Sequence, residues 1–284
     1  MLALDVKNLI KKYEHFHLKD VSFQLKKGYI MGFIGANGAG KTTTIKSILN
    51  MTQIDGGEIS TLGKNFIEHE LEMKQVIGYA FGGVNFYTRS KIKKVTNVIK
   101  RFYNNWEEET YISYLKRFNL DENKKIAELS EGMKVKYNLA LALSHGAKLL
   151  ILDEPTSGLD PVARDNLLGL FQELVEEGEI SILFSTHITS DLEKCADYIT
   201  YIHNGEIINS SEKEKFINTY RLLNGNDSQL EKVKDLLISY KKNSFGFTGL
   251  IQDKDFDPTS DITSSRPNLE EIMIYYSKRE DMYV

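Results

Sequence analysis

The chain has 284 residues, of which 41% are hydrophobic and 27% charged, and its formal net charge is −4. This composition excludes a disordered chain, and the mildly acidic balance argues against a dedicated nucleic-acid binder. The single cysteine, Cys195, excludes an intrachain disulfide and is typical of a reducing compartment. Apolar runs such as 149–152 are far shorter than the roughly 18 residues of a membrane-spanning helix, and the N-terminus alternates rather than forming the apolar block of a signal peptide. We therefore expect a soluble cytoplasmic protein of one or two domains.

The first half of the chain predicts strands around a glycine-rich loop, followed by a helical region. Alternating or continuous apolar segments predict strands at 2–9, 21–25, 29–34 and 76–81, and helical spacing predicts a helix at 42–50. Long helical periodicity in a segment rich in Lys, Glu, Tyr and Asn predicts an all-helical subdomain over about 86–147.

The second half alternates strands and helices before its character changes. Buried strands are predicted at 148–152 and 181–185, a helix at 161–176, and a hairpin at 198–203 and 206–208. This alternation predicts an α/β domain with a mostly parallel sheet over 1–210. Residues 211–284 predict a small α/β tail, with helices at 211–223, 229–240 and 268–276 and a strand at 245–251.

A phosphate-binding loop is the most specific motif of the chain. Residues 35–42 match G-x-x-x-x-G-K-[ST], between an apolar strand and a helix. Glycines allow the tight turn that directs backbone N–H groups at phosphate oxygens, and the positive end of the helix dipole faces the same place. Lys41 is predicted to reach the β and γ phosphates, and Thr42 to hold Mg²⁺. The alternative is a chance glycine-rich loop, which the strand and helix on either side disfavour.

Two adjacent carboxylates end a later apolar strand. Asp153 and Glu154 follow the segment 149–152, where unpaired charge would cost desolvation energy unless a metal-bound nucleotide lies beside it. We expect Asp153 to bind Mg²⁺, directly or through water, and Glu154 to polarise the attacking water. The alternative, a solvated strand end before Pro155, is weakened by the phosphate loop.

Further motifs narrow the family. Leu-Ser-Glu-Gly-Met at 129–133, Ser-Gly-Leu-Asp at 157–160, His187 and Tyr13 stand in an order that resembles the ATP-binding cassette (ABC) ATPases, over about residues 1–210. The resemblance implies a P-loop ATPase with a RecA-like core, an N-terminal antiparallel β subdomain and a helical subdomain. It also implies ATP and Mg²⁺, and a homodimer or heterodimer in which each site combines one subunit's phosphate loop with the other's signature.

The resemblance assigns roles to individual residues. Glu154 and His187 would be catalytic, with Thr42 and Asp153 on the metal. Those that would contact nucleotide are Tyr13, Gly35, Asn37, Gly38, Gly40, Lys41, Thr42, Thr43 and, from the opposite subunit, Ser130, Gly132 and Asp160. Simpler alternatives are ordinary packing for Tyr13, a strand-end histidine without a role for His187, and a plain helix N-cap for Ser130.

Two departures from the family pattern concern activity. The signature carries Glu131 where the family has Gly and Met133 where it has Gln, and a carboxylate beside a γ phosphate is repulsive unless it turns away or meets a cation. Gly82 stands where the family has a metal-contacting Gln, and Asn85 is three positions away from it. We therefore predict slow basal ATPase activity.

Segments 102–106, 185–193 and 268–272 resemble a bacterial exporter subgroup, such as the ATPases of phenol-soluble-modulin-type peptide exporters. The resemblance implies export of a peptide, toxin or antimicrobial amphiphile through a separate transmembrane permease, with this chain on the inner face of the cell membrane and no nucleic-acid partner. Aromatic candidates for gripping the permease are Phe86, Tyr87, Phe102, Tyr103 and Trp106, with core packing as the alternative for Phe102 and Trp106.

Other functions remain open at this stage. They are a nucleotide-binding regulator that hydrolyses little, an importer ATPase, and a soluble ABC ATPase of translation or DNA repair. Two observations disfavour the last function. The chain has one phosphate loop and one signature, and only 89 residues separate Lys41 from Ser130.

Overall fold

The computed structural model describes residues 1–81 and 87–278. The strands in chain order are β1 (Leu2–Lys12), β2 (His17–Lys26), β3 (Ile30–Ile34), β4 (Gly56–Thr61), β5 (Lys64–Asn65), β6 (Ile77–Phe81), β7 (Leu149–Asp153), β8 (Ser181–Thr186), β9 (Tyr198–His203), β10 (Glu206–Glu212), β11 (Tyr220–Gly225), β12 (Leu237–Asn243), β13 (Gly246–Gln252) and β14 (Thr263–Ser265). The helices are α1 (Lys41–Ile48), α2 (Glu70–Val76), α3 (Ile92–Ile99), α4 (Glu108–Arg117), α5 (Glu131–Ser144), α6 (Pro161–Glu176), α7 (Thr189–Cys195), α8 (Lys213–Asn218), α9 (Asp227–Val233) and α10 (Leu269–Lys278).

An antiparallel sheet forms the N-terminal layer, in the order β2-β1-β4-β5. Its long strands alternate buried and exposed side chains, as expected when one face packs on the core and the other meets water. In β2, for example, Leu18, Val21, Phe23 and Leu25 are buried while the residues between them are exposed or polar. The predicted strands at 2–9 and 21–25 are confirmed within β1 and β2.

The central sheet has the order β10-β9-β3-β8-β7-β6, with parallel pairing from β9 to β6 and an antiparallel edge strand β10. Every residue of β3, β7 and β8 is buried, because layers pack on both faces of the sheet. Because these three strands run parallel, their carboxyl ends meet at one edge of the sheet, where the loops that follow them lie side by side.

The helical subdomain shares one apolar core with the central sheet. Its helices α3, α4 and α5 share a core in which the Thr96 hydroxyl lies 2.8 Å from the hydroxyls of both Tyr111 and Tyr137. Burial raises the pKa of Tyr111 to about 12. This small polar network is buried among apolar side chains, and it ties the three helices to one arrangement.

In the tail, residues 211–284, two of the predicted helices differ from the structure. The helix predicted at 211–223 is wrong over most of its length, because β10 extends to Glu212 and only 213–218 are helical before strand β11. The helix predicted at 229–240 ends at Val233, and strand β12 begins at Leu237. Both strands pair with β13, whose location in the chain agrees with the strand predicted at 245–251. Short apolar segments satisfy helix and strand periodicity alike, so the distant partner strand decides between them.

The last helix returns the tail to the central sheet. Tyr276 of α10 packs edge-on against Tyr201 of β9, with ring centroids 5.4 Å apart, and Ser239 of β12 donates a 2.5 Å hydrogen bond to the carbonyl of Tyr275. The helix predicted at 268–276 is confirmed as α10. The proposed division of the chain at residue 210 stays a prediction. In the described ranges, no helix combines the length and the apolar character needed to cross a membrane.

Candidate functional site

The glycine-rich loop lies between β3 and α1, at the edge where the central strands end. A Cβ on Gly35 would stand 2.4 Å from the carbonyl oxygen of Ile202, and Gly40 has a φ of 114°, in the region that favours glycine. These two positions bring the loop close to β9 and start α1 at Lys41. The amide end of α1 therefore faces the cleft above the sheet.

Lys41 is buried at the base of the loop, with 6% of its surface exposed. Its ammonium donates to the carbonyls of Gly35 at 2.8 Å and Ala36 at 3.2 Å, and it lies 3.3 Å from Oε1 of Glu154. The side chain thus curls under its own loop, and its positive charge is held at the point where the loop meets the carboxylates.

Asp153 ends β7 with both carboxylate oxygens in hydrogen bonds. Thr42 donates to Oδ2 at 2.7 Å, and Ser185 of β8 donates to Oδ1 at 2.5 Å. A carboxylate beside a hydroxyl, in a water-accessible cleft, is an oxygen donor set that suits Mg²⁺. The residues present therefore fit this metal, with Thr42 and Asp153 as its protein ligands.

Glu154 links the two sides of the cleft. Its backbone has a φ of 52°, an uncommon value for a non-glycine residue, and its N–H donates to the Ser185 hydroxyl at 3.0 Å. One carboxylate oxygen faces Lys41, and the other lies 2.8 Å from Nδ1 of His187. The strained turn directs the carboxylate into the cleft, where a base could act on water.

Lys41, Thr42, Glu154 and His187 line one open cleft of about 780 Å³, and Asp153 adjoins it through its hydrogen bond with Thr42. The sequence-predicted residues that line it are Tyr13, Asn37, Gly38, Gly40, Lys41, Thr42, Thr43, Glu154 and His187. The Tyr13 ring is 44% exposed at the rim. The Lys11 ammonium lies over this ring, 5.3 Å from its centroid. An aromatic ring at the rim suits a nucleobase, since a flat base stacks on such a face with little strain.

Ser130, Gly132 and Asp160 form a second surface, which we call the signature surface. None of the three is among the described residues that line the cleft. Ser130 accepts from Met133 N–H at 3.3 Å, and Asp160 accepts from two N–H groups of the first turn of α6 at 3.0 Å. Gly132 faces Leu159, because a Cβ there would stand 3.3 Å from its Cδ2. Within one chain, the structure does not bring these residues to the phosphate loop.

Of the two departures from the family pattern, the structure describes the one in the signature and not the one at Gly82. Glu131 pairs with Lys134 at 2.7 Å, so its carboxylate meets a cation on its own helix, one of the two ways in which repulsion was expected to be relieved. Gly82, Asn85 and Phe86 lie outside the described residues.

Sequence reasoning missed three groups beside the cleft. Ser185 joins Asp153 to Glu154, and the Thr156 hydroxyl donates to buried Asp191 of α7 at 2.6 Å. Burial raises the pKa of the Asp191 carboxyl, while the Thr156 hydrogen bond opposes that shift. The Ser185-Thr186-His187 run could have drawn attention to Ser185, but nothing local indicates that Thr156 and Asp191 meet.

Comparisons with known proteins agree with this geometry. The family model of the ABC transporter matches residues 18–157. The chain is 34% identical to the ABC transporter ATP-binding protein NatA of Bacillus subtilis over 197 residues, covering 67% of this chain and 80% of NatA. It is 34% identical to the bacitracin transport ATP-binding protein BcrA of Bacillus licheniformis over 190 residues, covering 66% of this chain and 62% of BcrA.

A solved ATP-binding subunit of an ABC transporter superimposes with a TM-score of 0.68 at 29% identity, covering 75% of this chain and 91% of that one. The fold class predicted from the sequence is confirmed by this likeness. The glycine-rich loop, Glu154 and His187 line one cleft, and Asp153 is bonded to Thr42 beside it. With this geometry and these relatives, the chain belongs to the ATP-binding proteins of ABC transporters and is a nucleotide-binding ATPase.

Proposed function

We propose that this ATPase is the peripheral subunit of a bacterial exporter and drives a peptide or similar amphiphile through a separate transmembrane permease. The observation that carries the ATPase part is the assembly of Lys41, Thr42, Glu154 and His187 in one cleft, with Asp153 bonded to Thr42 beside it. The similarity to a bacitracin transport protein supports the peptide class of cargo. Export of phenol-soluble modulins in particular stays a prediction.

Binding uses the loop and the rim of the cleft. The N–H groups of the loop and the start of α1 would surround the phosphates, and Lys41 would exchange its hydrogen bonds with Gly35 and Ala36 for phosphate oxygens. Tyr13 would stack on adenine. A Mg²⁺ ion on Thr42 and Asp153 would supply charge neutralisation at the β and γ phosphates.

In hydrolysis, Glu154 would act as the base that takes a proton from the attacking water. Its carboxylate accepts a proton from water as the water oxygen bonds to the γ phosphorus, and the bond to the β–γ bridging oxygen breaks with its electron pair leaving on ADP. His187, held at 2.8 Å from the Glu154 carboxylate, positions both the γ phosphate and that carboxylate.

The site of one chain would be completed by a second. Ser130 and Asp160 stand exposed at the starts of α5 and α6, away from the cleft, with Gly132 in the first turn of α5. There the Ser130 hydroxyl and the amide end of α5 suit an anion on another molecule. We infer a head-to-tail dimer with a second copy or a related ATPase. The two nucleotides would bind the closed dimer more tightly than the open one, and this difference in affinity would drive the conformational change of the permease.

The permease would dock in an apolar groove between β6 and the helical subdomain. This groove has a volume of about 450 Å³ and includes Tyr87, Phe102 and Tyr103 of the predicted aromatic set. Trp106 is not among the described residues lining it. Its ring packs against Tyr111 at 5.3 Å, and its Nε1 donates to Glu108. The alternative of core packing is therefore better supported for Trp106, while Phe102 is 71% exposed.

The test is phosphate release by the purified chain, alone and in membranes with the permease encoded beside it, at varied Mg²⁺ and with amphiphilic peptides. We expect slow basal turnover that rises when both the permease and a peptide cargo are present. A chain that binds ATP but releases no phosphate under any of these conditions would instead be a nucleotide-binding regulator. Stimulation by an external binding protein would indicate an importer.

A further inference from the structure

Helix α3, with Lys91 before it and the helical turn Lys100–Phe102 after it, has an outward face that the proposed functions do not use. Lys91, Lys94, Val98 and Arg101 recur at intervals of three and four residues, and all four side chains are exposed. They line a shallow depression of about 390 Å³ with Lys93 and Asn97. We call Lys91, Lys94 and Arg101 the basic face.

The charge of this face is not neutralised by neighbours. Lys93 pairs with Glu122 at 2.8 Å and Lys100 with Glu108 at 3.0 Å. In contrast, no carboxylate of the described residues forms an ion pair with any cation of the basic face. Residues 87–106 hold six basic side chains and no acidic one, in a chain whose net charge is −4. The positive charge is therefore concentrated here against the overall balance.

Apolar side chains stand beside the cations. Val98 is 50% exposed and Phe102 is 71% exposed, one helical turn apart. The adjoining side of α3, with Val95 and Ile99, lines the groove assigned above to the permease. The basic face thus borders that groove along α3 and the residues on either side of the helix.

We propose that the basic face contacts anionic phospholipid headgroups of the inner leaflet. This rests on the proposed function, because a groove that holds a cytoplasmic segment of an embedded permease places the neighbouring face towards the bilayer. Unpaired cations are attracted to an anionic leaflet, and exposed apolar side chains among them enter the interface. The contact would orient the ATPase on its permease and add affinity for the membrane.

Vesicle sedimentation of the full chain tests this contact. We expect wild-type protein to bind phosphatidylcholine vesicles only when phosphatidylglycerol is included, and to be released by high salt. Since each basic side chain near an anionic surface contributes about a fivefold factor in binding, the variant Lys91→Gln, Lys94→Gln, Arg101→Gln should bind about 100-fold more weakly.

A matched control removes the same charge elsewhere. Lys232→Gln, Lys241→Gln, Lys254→Gln changes three exposed lysines of the tail and should leave vesicle binding within about twofold of wild type. Equal losses in the two variants, or wild-type binding that ignores phosphatidylglycerol, would overturn the proposal.

Two further measurements separate this inference from the proposed function. Basal ATPase activity should be the same in both variants and wild type, and both should co-purify with the permease in detergent without lipid. If the Lys91, Lys94, Arg101 variant alone loses the permease in detergent, the face binds an acidic protein segment and the lipid contact is wrong. If wild-type protein binds no permease and hydrolyses no ATP but still binds anionic vesicles selectively, the proposed function fails and the lipid contact stands.

Discussion

The phosphate-loop cleft and the signature surface contain comparable polar groups, but these groups differ in their hydrogen-bond partners and in their burial. Around the cleft, Lys41 donates to the carbonyl of Gly35, Asp153 accepts from Thr42, and the Glu154 N–H donates to Ser185. Lys41 and Asp153 are buried. On the signature surface, Ser130 and Asp160 bond only the first turns of their own helices and remain exposed.

This difference shows which half of the site is built within one chain. The cleft groups would be costly to bury without partners, so the fold supplies partners before any ligand binds. The signature groups need no internal partner beyond a helix cap, so they remain available to another molecule. The predictions below test this division, beginning with the largest effect.

Removing the proposed base should have the largest effect on turnover. Glu154→Gln keeps the size of the side chain but cannot accept a proton, so we expect phosphate release to fall by at least about 100-fold. ATP binding should persist, and ATP-bound dimers should accumulate in analytical ultracentrifugation. Glu177→Gln, an exposed carboxylate after α6, is the control with unchanged turnover. Normal turnover of Glu154→Gln would refute the base assignment.

Ser185 tests whether the cleft is held by its internal hydrogen bonds. Ser185→Ala leaves Oδ1 of Asp153 without its hydroxyl donor, at a cost of about 1–3 kcal/mol. The Glu154 N–H loses the hydroxyl but keeps the Ser185 carbonyl at 3.2 Å. We expect kcat to fall about tenfold or more and the Mg²⁺ midpoint to rise, because Ser185 positions the metal carboxylate and the turn. Ser185→Thr retains the hydroxyl and should restore most of both. A lower melting temperature with unchanged kcat and Mg²⁺ dependence would mean a purely structural role.

Ser130 tests the other side of the comparison. Asparagine caps helices about as well as serine, so Ser130→Asn should preserve stability and the ATP affinity of the single chain. Loss of the hydroxyl at the opposite nucleotide should lower turnover by about tenfold and weaken ATP-dependent dimerisation. If nucleotide affinity of the monomer falls instead, Ser130 belongs to the same cleft and the division is wrong.

The smallest effect concerns how the helical subdomain that carries the signature is attached. The His145 ring stacks on Tyr103 with centroids 3.8 Å apart, and its Nδ1 lies 3.0 Å from the carbonyl of Gln75. Gln75 in turn donates from Nε2 to the carbonyl of Phe102 at 2.8 Å. These contacts join α5 and the segment after α3 to the end of α2.

Burial lowers the pKa of His145, so the folded state favours the neutral ring. As pH falls through the ordinary histidine pKa of about 6.5, the unfolded chain takes up the proton first, and this part of the stability is lost. His145→Phe keeps the stack, so its melting temperature should fall by about 2 °C less than that of wild type between pH 7.5 and pH 5.5. His15→Phe, an exposed site, is the control. Parallel melting curves for wild type and His145→Phe would contradict the assignment.

The sequence predicted the elements that carry strong local signals. Gly35 and Gly40 mark the loop because no other residue fits their close approach and positive φ, and the fully apolar run before Asp153 indicates a buried central strand. The two tail strands β11 and β12 were missed because their pairing with β13 is not a local property. Ser185, beside the cleft, was missed for the same reason, because its role depends on β8 lying beside β7.

By itself, the sequence determined the fold class, the phosphate loop and the order of the motifs, because each depends on residue types at fixed short spacings. Only the tertiary structure decided that Ser185 bridges Asp153 and Glu154, that Thr156 meets Asp191, and that the signature surface stands apart from the cleft. Those relations join residues about 30 or more positions apart, and sheet order and helix packing set their distances. No local pattern along the chain specifies them.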